Sequence, residues 1–329
     1  MKPRVFVTYR IPEAGLRLLR EQAELIVNEE DRFLNEEEII SRARDAEALI
    51  TLLQDPITAR VIEALPRLKI IANYAVGYNN IDVEAATRRG VVVTHTPDVL
   101  TDATADLTMA LILAVARQVV AADRFVREGR FTGWKPELWL GMELRGKTIG
   151  IVGMGRIGYA VARRAVAFGM EVIYHNRRPA NPTLAYLVGA RYVSLQELLE
   201  QADVVSLHCP LTPQTRHLID RHALERMKPT AILINTARGP VVDEAALAEA
   251  LRQGRLAGAG LDVFEEEPRV HPDLLSLPNV VLTPHIGSAT REAREQMAIM
   301  CAQSVIAALS GEVEVSHMVN PEALLLRNG

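Results

Sequence analysis

Cysteine is nearly missing from this sequence: only Cys209 and Cys301 occur in 329 residues. They stand far apart and form no metal-ligand spacing, so no disulfide framework and no metal site are expected. The pair fits a reducing, cytoplasmic setting. A surplus of one charge is missing too. Against 37 Lys and Arg stand 41 Asp and Glu, a net charge of -4 with the signs interspersed. Nucleic-acid binding needs a concentrated basic surface, so that class is set aside, although a local basic pocket for a small anion is not. Long apolar runs are absent. No stretch reaches the ~18 residues that a membrane span needs. The amino-terminal Val5-Phe6-Val7-Thr8 is too short for the core of a signal peptide and reads as a strand. No short-period repeat or low-complexity linker breaks the chain. What remains is an ordinary globular composition, 49% hydrophobic, with length for about two domains of ~150 residues.

Short β-branched runs alternate with helical patterns. Arg4–Thr8, Leu25–Asn28, Ala48–Thr51, Leu68–Asn73 and Val91–Thr94 read as strands. A long helix follows from Thr101 to about Glu128, with Thr101 or Asp102 as its cap. Leu107, Met109, Leu111, Ile112 and Val115 make it apolar on too many sides for a surface helix. It is buried inside a domain, between domains or against another subunit. After a loop rich in Gly, Pro and Trp the rhythm restarts. Strands are read at Thr148–Val152, Glu171–His175, Arg191–Val193, Val204–His208, Ala231–Asn235, Gly258–Asp262 and Val280–Thr283, and a closing helix from Ala289 to about Leu309. This βαβα order predicts two α/β units with parallel sheets and helices on both faces. The closing helix is free to return to the first unit and make it discontinuous.

The strongest local motif is Gly153-Met154-Gly155-Arg156-Ile157-Gly158. Alone such a pattern is weak. Here it follows a strand, opens a helix and precedes a second strand. Gly153 permits the tight turn, Gly155 lets backbone approach a pyrophosphate, and Gly158 allows close helix–strand packing. The N–H groups opening the helix, those of Arg156 and Ile157 among them, then face the phosphates. The second strand ends in His175-Asn176-Arg177-Arg178, where NAD-binding chains usually place an acidic residue for the ribose. Two cations in place of a carboxylate favour NADP(H), with NAD(H) as the alternative. Solvated loop charges would also account for Arg177 and Arg178.

Other polar residues stand at strand ends, where ligands of open α/β sheets bind. Arg238 follows the strand ending at Asn235, Asp262 ends the next, Glu267 lies just beyond it, and His285 follows the last. Reduction of a 2-oxo acid needs a guanidinium for the carboxylate, an imidazole that gives a proton to the carbonyl oxygen, and a carboxylate that orients and charges the imidazole. Arg238, His285 and Glu267 supply that set. The other histidines lack this context and read as structural or surface residues. His208 and Cys209 end a strand near the expected cofactor and can line its pocket.

With these residues in place, the chain resembles the D-isomer-specific 2-hydroxyacid dehydrogenases over nearly its whole length, closest to the glyoxylate and hydroxypyruvate reductases. The likeness rests on Gly153–Gly158, Asn235–Gly239, Gly260–Phe264, Glu267-Pro268 and Thr283–Gly287, and on Asn73–Asp82 for the closer group. It implies two doubly wound domains. A Rossmann-type cofactor domain, residues 100–287, is inserted in a flavodoxin-like substrate domain, residues 1–99 and 288–329. It implies a catalytic Arg238, Glu267 and His285, with Asp262 near the nicotinamide. Thr104, Cys209, Pro210, Thr236, Ala237 and Gly287 join the glycine turn, Asn176, Arg177 and Arg178 around the cofactor. The N–H groups of Val76 and Gly77 would hold the substrate carboxylate, Leu52 and Leu53 would border its side chain, and the long helix would lie at a homodimer interface. In similar reductases a Trp from the loop before the nucleotide turn reaches the neighbouring subunit's site; Trp139 is the candidate, with ordinary interface packing as the alternative. The expected reaction is reduction of glyoxylate or hydroxypyruvate. D-lactate, D-glycerate or phosphite as substrate, and a nucleotide-sensing corepressor, are the rivals.

Overall fold

The computed structural model of the chain describes residues 2–312 and 317–326. It divides into two compact units, Met1–Leu100 with Ser288–Gly329, and Thr101–Gly287. The first runs β1 (Arg4–Val7), α1 (Glu13–Gln22), β2 (Glu24–Val27), α2 (Glu36–Arg42), β3 (Ala48–Thr51), α3 (Ala59–Ala64), β4 (Ile70–Asn73), α4 (Val83–Arg88) and β5 (Val92–Thr94). All five strands are parallel, in the order β2-β1-β3-β4-β5. Every residue of β3, β4 and β5 is buried. Unbroken apolar runs are what strands covered on both faces require.

The second unit opens with α5 (Thr101–Ala116) and α6 (Val119–Arg127), and continues with β6 (Thr148–Val152), α7 (Arg156–Ala167), β7 (Glu171–His175), α8 (Pro182–Leu187), β8 (Arg191–Tyr192), α9 (Leu195–Gln201) and β9 (Val204–Leu207). Then come α10 (Arg221–Arg226), β10 (Ile232–Asn235), α11 (Glu244–Arg252), β11 (Gly258–Leu261), α12 (Pro272–Leu275) and β12 (Val280–Leu282). Its seven strands are parallel and ordered β12-β11-β10-β9-β6-β7-β8. Strand order reverses between β6 and β9, so a crevice opens at the carboxyl end of β6, where the glycine turn stands. The chain then returns to the first unit as α13 (Arg291–Ser310) and ends its described part with α14 (Ala323–Leu326).

The long helix expected from Thr101 to Glu128 is two helices, bent by 62°. Met142 N–H donates to the Ala116 carbonyl at 2.8 Å, and the Gln118 side chain donates to Leu140 O at 3.0 Å. The returning segment thus takes the acceptor that the next helical turn needs, and Gln118 adopts a left-handed φ of 53°. Thr101 and Asp102 lie inside the first turn of α5 rather than at its cap; Asp102 accepts from Arg164 of α7 instead. Of the two pieces, α5 is interior to its unit. Gly260 on β11 leaves room for it: a Cβ there would stand 3.1 Å from Leu111 Cβ and 3.4 Å from Val115 Cγ2. The amphipathic α6 buries none of its residues.

Candidate active site

The turn after β6 is shaped by three glycines. Gly153 has φ 98°, and a Cβ on it would stand 2.5 Å from Cys209 N. A Cβ on Gly158 would stand 2.4 Å from Gly153 O, so the helix can start this close to the strand only with glycine there. Gly155 differs. A Cβ there would meet nothing within 4 Å. Nothing inside the fold requires a glycine at 155, and the open space is what a pyrophosphate lying on backbone needs. Gly155 caps α7 with no side-chain hydrogen bond, which leaves the start of that helix open to an anion. The turn fits a dinucleotide.

The other candidates meet through three loops at the carboxyl ends of β10, β11 and β12. His285 Nδ1 lies 2.9 Å from Glu267 Oε2. Glu267 Oε1 accepts from Phe264 N–H at 3.1 Å, which fixes the carboxylate from its other side. Burial raises the Glu267 carboxyl, but the imidazole bond and charge, the Phe264 N–H and the Arg238 charge outweigh it and hold it below its ordinary value. It is therefore a carboxylate at neutral pH. Burial also lowers Arg238 from its ordinary value, with the charge of Glu267 opposing that shift. The guanidinium donates to Ala237 O at 2.7 Å and forms no ion pair among the described residues. A half-buried cation so placed is ready to take a carboxylate.

The loop carrying His285 is held from below. Asp262, 1% exposed, accepts from Thr283 Oγ1 at 2.6 Å and from the N–H groups of Ile286 and Gly287 at 2.8 Å each. Burial raises its carboxyl above the ordinary value against the pull of these three bonds. His285 has a left-handed φ of 54°. The two N–H bonds that follow it in sequence keep this strained residue in place.

A model of the NAD-binding domain of D-isomer-specific 2-hydroxyacid dehydrogenases matches residues 109–287. A glyoxylate reductase of Thermococcus onnurineus is 53% identical over 99% of this chain and 98% of its own length. The chain belongs to the D-isomer-specific 2-hydroxyacid dehydrogenases. It is an oxidoreductase. A solved Thermus thermophilus protein matches the dehydrogenase with a TM-score of 0.90 at 50% identity, covering 96% of this chain and 99% of that one. An NADPH-dependent glyoxylate/hydroxypyruvate reductase of Sinorhizobium meliloti, solved with NADP and malonate, matches with a TM-score of 0.87 at 37% identity over 98% of each chain.

Around the glycine turn of the dehydrogenase, Asn176 Oδ1 accepts from Met154 N–H at 2.6 Å, so this side chain braces the turn. Arg177 and Arg178 are exposed just beyond it. Thr236 Oγ1 is 2.9 Å from Thr108 Oγ1, whose hydroxyl also bonds to Thr104 O at 2.8 Å. Ala237 N–H donates to Asn235 Oδ1 at 3.0 Å, and a Cβ on Gly287 would stand 3.4 Å from Thr104 Cγ2. Cys209 is buried and its thiol is pushed up to about 11, so it stays neutral; Pro210 beside it is exposed. Burial pushes His208 down to about 3. It is neutral near pH 7, and its Nε2 lies 2.8 Å from Ser206 Oγ, so it is no rival to His285 as proton donor.

In the first unit, Val76 and Gly77 follow β4 and their N–H groups have no hydrogen-bond partner among the described residues. Their carbonyls are fastened: Asn73 Nδ2 donates to Gly77 O at 2.7 Å, and His95 Nδ1 is 2.8 Å from Val76 O. Sequence reasoning left His95 among the structural histidines; the one signal for its task, its place after β5, does not reveal which carbonyl it meets. Leu52 and Leu53, both half-buried, follow β3, where Leu52 N–H donates to the buried Asp55 at 2.6 Å. Trp139 is not brought to Arg238 and His285 within its unit. It stacks edge-on to Phe125 at 5.6 Å and lines an open cleft of about 1330 Å³ with Lys147, Asp203, Thr230 and Ala257. Those four lie just before β6, β9, β10 and β11, at the edge of the sheet opposite His285.

Proposed function

We propose that the dehydrogenase reduces glyoxylate or hydroxypyruvate to the corresponding 2-hydroxy acid with NADPH. The observation that carries this reading is the 2.9 Å contact of His285 with an ionised Glu267 that also feels the charge of Arg238. The glycine turn would hold the pyrophosphate of the cofactor, whose reduced nicotinamide would supply the hydride. His285 gives its proton to the carbonyl oxygen as charge develops there, and Glu267 both orients the ring and stabilises its protonated form. Arg238 binds the substrate's carboxylate through parallel N–H groups. In the first unit, the N–H groups of Val76 and Gly77, without a partner among the described residues, are suited to a carboxylate, and Leu53 to a small apolar wall. Asp262 keeps His285 in its strained conformation. Asn176, Arg177 and Arg178 take the adenosine side of the cofactor, and the two guanidinium groups favour a 2′-phosphate. Thr104, Arg156, Ile157, Cys209, Pro210, Thr236, Ala237 and Gly287 complete its surroundings.

The names of the relatives support the substrate: a Pyrococcus furiosus glyoxylate reductase is also 53% identical over 99% of this chain. The buried free thiols support a cytoplasmic setting. Exposed Val119, Val120, Val126, Phe131, Trp134, Leu140 and Leu275 support coverage of the α6 region by a second copy, in which Trp139 would serve the partner's site. Light scattering tests the dimer. A kinetic matrix of glyoxylate, hydroxypyruvate, pyruvate and phosphite with NADPH and NADH tests the reaction. The expected optimum is glyoxylate or hydroxypyruvate with NADPH; faster turnover of pyruvate or phosphite contradicts the substrate reading, and no turnover of any pair contradicts the enzyme reading in favour of a nucleotide sensor.

A further inference from the structure

Glu244 is a carboxylate with no evident task in its own helix. It is the first residue of α11 and only 5% exposed. The helix is already capped, because Asp243 accepts from Ala246 N–H. Burying a second carboxylate is costly unless its oxygens are bonded. Those of Glu244 turn to a different segment: Oε1 accepts from Glu265 N–H at 2.6 Å, and the backbone of His271 also acts to lower the carboxyl. Residues 265 and 271 are the two ends of the loop that carries Glu267. Between them, Arg269 N–H closes a tight turn on Glu266 O at 2.9 Å. The clasp is reciprocal, since Glu244 N–H points at Glu265 Oε2 at 3.5 Å. Glu265 is held in turn by His217 Nε2 at 2.5 Å and Arg216 Nη2 at 3.5 Å. A group that only accepts suits a site facing a backbone donor.

We propose that Glu244 is a positioning residue for the Glu267–His285 pair: its carboxylate fastens the start of the Glu265–His271 loop and so sets the point from which Glu267 reaches the imidazole. Burial raises the Glu244 carboxyl and its backbone bonds oppose that rise, so the clasp is strongest when the group is ionised. The proposal rests on the proton-donor role of His285 argued above. The test compares Glu244→Ala, Glu244→Gln and Glu267→Gln by kcat, KM and pH profile with glyoxylate and NADPH, by NADPH affinity from fluorescence, and by thermal melting. Glu244→Ala is expected to lower kcat about 10- to 100-fold, the loss that a displacement of roughly 1 Å in a catalytic group brings. Glu244→Gln keeps one acceptor and the shape, and should lose less; it also stands in if the alanine variant does not fold. NADPH affinity should stay within about twofold, because the glycine turn is not touched. The alkaline limb of kcat/KM should move to lower pH in both variants and in Glu267→Gln, and adding Glu267→Gln to Glu244→Ala should cost little more than the larger single loss. A merely structural role would lower the melting temperature and leave the pH limb in place, and that result overturns the proposal. Loss in Glu267→Gln with wild-type kcat and pH limb in the Glu244 variants overturns the clasp alone. Wild-type kcat in Glu267→Gln overturns the functional reading, and the clasp with it.

Discussion

Gly239 joins the loop of Arg238 to the loop of Glu267, and adding one methyl group there should separate them. A Cβ at this position would stand 1.9 Å from both C and O of Phe264 and 2.4 Å from Glu265 N. Ordinary contact begins near 3.4 Å, so the two segments must part by about 1.5 Å. The clashing atoms are backbone, and no rotamer change relieves them. Phe264 N–H is also the donor that holds Glu267 Oε1, so the carboxylate moves with it. A shift of roughly 1 Å at reacting groups costs on the order of 100-fold, which sets the expected loss in kcat for Gly239→Ala. Overpacking adds about 1–3 kcal/mol of destabilisation. The assays are steady-state oxidation of NADPH by glyoxylate and denaturant melting of the same preparation. A soluble Gly239→Ala enzyme with wild-type kcat and wild-type stability would refute the contact and the argument built on it.

Other changes separate binding, charge and chemistry. Gly155→Ala meets no atom in the fold, so melting should be unchanged while NADPH affinity falls at least tenfold, about 1.4 kcal/mol; unchanged affinity in titration would mean the pyrophosphate lies elsewhere. Replacing Arg177 and Arg178 together by alanine should raise KM for NADPH and leave that for NADH nearly constant; equal effects on both would show that the two cations do not meet a 2′-phosphate. Glu267 is held below its ordinary value of 4.5 in the fold, so its contribution to stability is full above about pH 4.5 and declines as pH falls below it. Wild type should therefore lose more stability than Glu267→Gln between about pH 4.5 and 3, and parallel denaturation curves across that window would contradict the ion pair.

Features encoded by near neighbours were open to reading, and those set by distant ones were not. The glycine turn is local: strand, spacing and helix lie within one short stretch, and Gly153 and Gly158 each have a steric cause in the structure while Gly155 faces open space. The strand ends that deliver Arg238, Glu267 and His285 follow from the βαβ rhythm, because parallel strands place such loops on one edge. The break between α5 and α6 was hidden, since Ala116 loses its helical partner to Met142, a residue that sequence periodicity cannot weigh. The tasks of Asp262, His95 and Glu244 were hidden for the same reason: each hydrogen-bonds with backbone far along the chain, His95 as donor to a carbonyl and the two carboxylates as acceptors from N–H groups. Asn176 was read from its place after β7 as a residue around the cofactor; that its oxygen also braces the turn through Met154 N–H was not legible. Composition and pattern report which groups reach the edge of a sheet; they are silent on which backbone groups a side chain will fasten.

The central claim is that His285, paired with Glu267, supplies the proton in 2-oxo acid reduction. The most direct measurement is kcat/KM for glyoxylate with NADPH in His285→Asn, alongside NADPH affinity. The account predicts a fall of about 10²- to 10⁴-fold with the cofactor still bound. Turnover at the wild-type rate would contradict it.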